Sequence, residues 1–149
     1  MTSAEAKQPS EAGDLPDPRP SLLIADDDVF MRSALSAQLK DAFRIVAVAA
    51  DAAEAIALAE EHQPDAALLD VDMPNGGARE AVPQIVARCP GTSIVILSGD
   101  ETRQIVLELI SAGAIAYVRK GVTAAQIVRT LTDALKAKGA PPAPDLPAA

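Results

Sequence analysis

The sequence predicts an α/β fold, a doubly wound sheet of five parallel strands with a helix after each. Five short apolar runs recur along the chain. They are continuous rather than alternating, as in parallel strands that helices cover on both faces. Helix-patterned segments fill the intervals, and parallel neighbours require such crossovers, so the alternation leads to an open doubly wound sheet.

The first run, SLLIA (21–25), ends on Asp26, Asp27 and Asp28. Asp28 reads as the cap of a helix over 29–39, because a carboxylate there accepts from free backbone N–H groups. FRIVAVA (43–49) is the second strand, and an Ala-rich helix over 51–62 stops before Pro64. AALLD (66–70) is the third, followed by a helix over 78–89 in which Pro83 either marks the first turn or forces a kink. SIVILS (93–98) precedes a helix over 102–112 stopped by Gly113. AIAYV (114–118) and a helix over 123–138 complete the set.

With no Trp, one Tyr and two Phe, the core must be aliphatic. Residues 1–19 and 139–149 are rich in Pro and Ala and lack apolar periodicity, so they read as disordered tails around a folded unit over 20–138. Thirteen basic against 21 acidic residues give a charge of −8, which argues against direct nucleic-acid binding. No secretory leader or membrane-length apolar segment is evident, and Cys89 is alone. A cytoplasmic location without a membrane partner is therefore expected.

In doubly wound sheets the ligand site lies at the carboxyl ends of the strands. Those ends carry Asp26 and Asp27, Asp70, Ser98 and, just past the fifth strand, Lys120. Neighbouring carboxylates raise one another's pKa. A hard divalent cation relieves that conflict, and Mg²⁺ accepts both protein and phosphate oxygens. Lys120 offers a point charge to a phosphate oxygen and Ser98 a neutral donor. The set suits phosphoryl transfer, which needs positioning and charge neutralisation, and Asp70 is the natural nucleophile. Other residues have plainer readings: Asp28 as a cap only, the Asp72 side chain and His62 at the surface, and Cys89 as inert.

The chain resembles a response regulator receiver domain over residues 20–138. The resemblance rests on the acidic pair Asp26-Asp27, Asp70 in LLDVDMP, Ser98 in VILSG, the aromatic Tyr117 and Lys120. It implies a flavodoxin-like receiver fold and a signalling role rather than an enzyme. It implies Mg²⁺ held by Asp27, Asp70 and the main-chain carbonyl of Asp72, with Asp26 acting largely through water. Asp70 would accept a phosphoryl group from a sensor histidine kinase or phosphotransfer protein, and Ser98 and Tyr117 would form the switch. With no room for an output domain, a single-domain form acting on a separate protein partner or as a homodimer is expected.

The chain departs from the family in two places. Gly121 follows Lys120 where the family often has proline after a cis bond, and a cis non-proline bond costs about 2.5–4 kcal/mol, so a trans peptide or a rearranged loop is expected. Gly76 and Gly77 lie ahead of the family's usual glycine, with Ala78 in its place.

Ile105, Val106, Leu107, Leu109 and Ile110 give the fourth helix an apolar arc about twice the ~100° of one buried stripe. Part of it should stay exposed beside Tyr117 as a docking patch. Two other functions compete. Asp70-Val71-Asp72 also fits an aspartyl-phosphate phosphatase, although that class expects the motif on its first strand. A docking protein that never uses phosphate is the other. A histidine phosphotransfer module is disfavoured because His62 ends a helix, and a dinucleotide binder because ADDDV replaces a glycine-rich turn.

Overall fold

The computed structural model describes residues 17–99 and 103–139. Five strands alternate with five helices: β1 (Ser21–Ala25), α1 (Val29–Leu39), β2 (Arg44–Ala49), α2 (Ala52–His62), β3 (Ala66–Asp70), α3 (Gly77–Arg88), β4 (Ser93–Ser98), α4 (Arg103–Ala112), β5 (Ala116–Arg119) and α5 (Ala124–Gly139). All strand pairs are parallel, in the order β2-β1-β3-β4-β5. This is the doubly wound, flavodoxin-like fold that the sequence predicts.

Position in the sheet decides burial. Every residue of the three inner strands β1, β3 and β4 is buried. The edge strands are not continuous in this way: Val48 of β2 and Tyr117 of β5 are exposed, while their neighbours Ala47 and Val118 are buried. A bulge also breaks the β1–β2 ladder, since Leu22 pairs with Ile45 but Leu23 pairs with Ala47, leaving Val46 as the extra residue.

The two sheet faces carry separate cores. Leu23, Leu69 and Ile96 pack with Ala55 of α2, Ile85 of α3 and Leu109 of α4. Leu22, Leu68 and Leu97 pack with Leu35 of α1 and Leu131 of α5. Phe43 is the one aromatic inside, in an otherwise aliphatic core.

Helix starts follow their caps. The Asp28 side chain accepts from Phe30 N at 2.8 Å and Met31 N at 3.3 Å, which confirms its reading as a cap. Asp51 caps α2 by accepting from Glu54 N at 2.8 Å, so the helix proper begins at Ala52.

Helix α3 begins at Gly77, which overturns the option that Pro83 marks its first turn; Pro83 lies inside the helix. The entry is set instead by Gly76 and Gly77, with φ of 99° and 60°. A Cβ on Gly77 would stand 2.8 Å from Val71 O, so only glycine lets the loop come this close to the strand end. Ala78 N then donates to that same Val71 oxygen at 3.1 Å.

Of two other boundaries, one differs from expectation. Residue 102, the expected start of α4, lies outside the described residues. β5 starts at Ala116 rather than at residue 114, because Gly113 N and Ala114 N are used to close α4 onto Ile110 O and Leu109 O. Pairing resumes with Ile115 N donating to Ile94 O at 2.8 Å.

Residues 1–16 and 140–149 of the expected tails lie outside the described residues, but 17–19 are anchored. Asp17 pairs with Arg19 at 2.7 Å, and Arg19 donates to Lys40 O at 2.5 Å. No cis peptide bond occurs among the described residues, so Lys120-Gly121 takes the trans option, with Gly121 at φ 95°.

Candidate functional site

Because every strand is parallel, all five carboxyl ends lie on one edge of the sheet, and the loops there collect the charged residues. Asp26 follows β1, and its N–H donates to Ala49 O at 3.0 Å, which extends the sheet by one residue and holds the side chain inward. Asp26 is fully buried, whereas Asp27, one residue further along a turning chain, is exposed. Asp70 closes β3 at 1 % exposure. Carboxylate oxygens of Asp26, Asp27 and Asp70 lie within 4.8 Å of one another.

Lys120 enters from beyond β5. Its backbone N–H donates to Ser98 O at 2.7 Å. The ammonium sits 3.0 Å from Asp70 Oδ1 and 3.6 Å from Asp26 Oδ2. Those two oxygens are sealed from water and accept no well-directed hydrogen bond, so the ion pairs are their main compensation. One ammonium facing three carboxylates leaves two formal negative charges uncompensated. Burial pushes the Asp70 carboxyl up to about 6, with the Asp26 charge adding to it, while Lys120 and the Asp72 backbone N–H pull the other way. Burial depresses the Lys120 ammonium, but its close contact with Asp70 and the charges of Asp70 and Asp26 outweigh this and raise it overall. An all-oxygen donor set with residual negative charge and two orphaned buried oxygens fits a hard divalent cation.

The remaining candidates occupy the rim. Asp72 is exposed just past β3, and its side chain does not belong to the carboxylate cluster. Ser98 is buried at the end of β4, one residue beyond the Leu97 that pairs with Asp70. It also lines a cavity of about 460 Å³ with Arg103, Val106, Leu107, Tyr117 and Arg119. Ser98 therefore belongs to the strand end beside Asp70 and to the cavity that contains Tyr117. Of the wide apolar arc on α4, Val106 and Leu109 are buried, and Leu107 is the large residue left exposed, at 54 %.

Sequence reasoning missed two features. Arg32 of α1 reaches back so that its Nη1 donates to Asp26 O at 2.9 Å, bracing the acidic loop. The signal was the Asp28 cap, since capping starts the helix and places residue 32 one turn up, with Arg32 N donating to Asp28 O. The second is apolar: Val29 and Phe30, beside the acidic cluster, are 55 % and 83 % exposed.

Comparison with known proteins identifies the family of this fold. The family model described as the response regulator receiver domain matches residues 22–132. The chain is 34% identical over 116 residues to chemotaxis protein CheY of Listeria monocytogenes, covering 77% of this chain and 98% of that protein. It is 33% identical over 108 residues to the transcriptional regulatory protein PdtaR of Mycobacterium tuberculosis, covering 72% of this chain and 52% of that one. The signal receiver domain of the putative response regulator NarL from Mycobacterium tuberculosis superposes with a TM-score of 0.75 at 26% identity, covering 79% of this chain and 97% of that chain. The matched span runs from β1 into α5 and takes in the whole acidic edge: the chain belongs to the response regulator receiver domain family.

Proposed function

We propose that this receiver accepts a phosphoryl group on Asp70 from a sensor histidine kinase or a histidine phosphotransfer protein, and that the modification alters its affinity for a downstream protein or for a second copy of itself. The observation that carries the reading is Asp70 itself, a buried carboxylate 3.0 Å from Lys120 and clustered with Asp26 and Asp27. Receiver domains act as signalling modules, and no turnover of a substrate is invoked.

A carboxylate oxygen of Asp70 forms the new bond to phosphorus, and the bond from phosphorus to the donor's imidazole nitrogen breaks, its electron pair staying with the nitrogen. Lys120 offsets charge on the phosphoryl oxygens, and Ser98 supplies a neutral hydroxyl donor from the neighbouring strand. Asp27, Asp70 and the Asp72 main-chain carbonyl would hold Mg²⁺, with Asp26 acting through water. When bound, the ion neutralises the carboxylates and the incoming phosphate oxygens. Exposed Val29 and Phe30 give the donor protein an apolar contact beside the reacting carboxylate.

Ser98 and Tyr117 share one cavity, which supports a route from the phosphoryl site to the α4–β5 surface. A shift of this kind needs different affinities in the two states, so partner binding should change in strength rather than appear from nothing.

Intact-mass measurement after incubation with acetyl phosphate or phosphoramidate and Mg²⁺ tests phosphoryl acceptance. One added phosphoryl group is expected on the native chain and none on Asp70→Asn; equal labelling of both would overturn the assignment. Amide exchange with and without phosphate tests the switch, which fails if protection over residues 103–118 is unaltered in phosphorylated protein.

A further inference from the structure

Resting on the reading of the Asp72 main-chain carbonyl as a Mg²⁺ ligand, we propose that Asp51 and Asn75 are positioning residues for the metal. Their hydrogen bond clips the β3–α3 loop to the start of α2 and so holds that carbonyl at the carboxylate cluster. Asn75 Nδ2 donates to Asp51 Oδ2 at 2.9 Å. Asp51 itself lies outside the cluster of Asp26, Asp27 and Asp70.

Both loops that carry the cluster are tied to the β2–α2 turn. On one side Asp26 N donates to Ala49 O at 3.0 Å. On the other, Ala52 N donates to Pro74 O at 3.1 Å, next to the Asn75 bond. Asp51 stands between these two attachments. Proline has no N–H, so its carbonyl is the one main-chain group by which Pro74 can be held. The Asp72 N–H is turned to the Asp70 carboxyl, and Met73, the next residue, is buried in the core. The peptide that carries the Asp72 carbonyl therefore runs from the cluster straight into the clip.

The backbone explains why a clip is needed. Asn75, Gly76 and Gly77 take φ of 62°, 99° and 60° in succession. Left-handed residues normally occur singly, so this run leans on contacts from outside it. At its far end Ala78 N fastens to Val71 O, and at its near end the fastening is Asn75. Glycine takes such a φ at least cost, yet position 75 carries a side chain, and its amide reaches Asp51. The two oxygens of Asp51 divide the work: Oδ1 accepts from Glu54 N and caps α2, while Oδ2 accepts from Asn75. Cap and clip can be removed separately.

Titration calorimetry with Mg²⁺ on the full chain tests the pair. Asp51→Ser keeps a short oxygen for the cap and loses the clip, whereas Asn75→Gly keeps the left-handed backbone without the amide. Each should weaken Mg²⁺ binding roughly fivefold, the scale of one net hydrogen bond, and the double variant should bind no more weakly than either single one. Asp51→Asn should bind like the native chain, because its oxygen still caps and its amide donates to an Asn75 side chain turned end for end. Native-like binding by this uncharged variant excludes attraction between Asp51 and the cation as the cause. In metal-free protein, amide exchange at Ala52 should quicken in Asn75→Gly while Glu54, behind the cap, is unchanged. Undiminished Mg²⁺ affinity in Asn75→Gly overturns the proposal, as does additive weakening in the double variant or an Asp51→Asn as weak as Asp51→Ser. Unaltered exchange at Ala52 overturns it too. If the native chain takes up no Mg²⁺, the reading of Asp72 as a ligand fails and the role of the clip goes with it; native binding with unaffected variants refutes the clip alone.

Discussion

Replacing Asp70 by Asn should make the metal-free protein more stable. Asp70 is held up to about 6 from an ordinary value of 3.8, chiefly by burial. Between roughly pH 4 and 6 the native state keeps a proton that the unfolded chain has released. Stability therefore falls as pH rises through that window and stays lower above it. A shift of about two pKa units at ~1.4 kcal/mol each amounts to about 3 kcal/mol at pH 7.5, and to only about 1 kcal/mol at pH 4.5. Asn keeps the shape and lacks the charge, so Asp70→Asn should gain up to these amounts. For a domain of this size 1 kcal/mol moves Tm by roughly 4 °C, so the gain at pH 7.5 should be about 10 °C. Urea unfolding and thermal melts with a chelator present, at both pH values, measure it. A variant less stable than the native protein at pH 7.5, or one with the same gain at both pH values, refutes the reasoning.

Three further substitutions test other parts of the structure. Asp27→Ala should abolish Mg²⁺ binding in titration calorimetry and leave the fold intact, because Asp27 is the exposed member of the cluster; undiminished affinity would contradict its assignment as a ligand. Pro83→Ala should stabilise the chain, by at most about 3 kcal/mol less the freedom regained when unfolded, since Pro83 is exposed inside α3 and cannot donate to the carbonyl one turn back. A lower urea midpoint would show that the proline is needed there. Gly77→Ala should cost at least about 1–2 kcal/mol in the same assay, because its φ is 60° and the new Cβ would meet Val71 O at 2.8 Å; a neutral result would mean that the α3 entry is not held at this contact.

Most of the fold was legible because its signals are local. The run SLLIA, the Asp28 cap and the Gly113 stop act within a few residues of where they are read. The site was legible for a related reason: once the strands are parallel, every strand end lies on the same edge, and Asp70, Ser98 and Lys120 need no further information to meet there. What failed depends on distant contacts. Val48 is exposed because its strand falls at the edge, a matter of sheet order that a short apolar run does not carry. The start of α3 depends on the approach of Gly77 to Val71, so Pro83 alone could not locate it. Arg32 could be placed against Asp26 only after the direction of α1 was known.

The three successive aspartates after β1 are chemically identical and structurally unlike. Asp26 Oδ1 accepts from Asp28 N at 2.9 Å, Asp28 Oδ1 accepts from Phe30 N, and Arg32 returns to Asp26 O. The buried charge, the helix cap and the exposed Phe30 are thus coupled in series, like gears on one shaft. The same short run of hydrogen bonds holds the carboxylate cluster and seats the helix that presents Val29 and Phe30. Substituting Asp26 or Asp28 removes one tooth, whereas deleting one residue turns every later one out of phase. Two adjacent acids would survive such a deletion and still look correct on paper, yet the cap and the brace would engage the wrong partners.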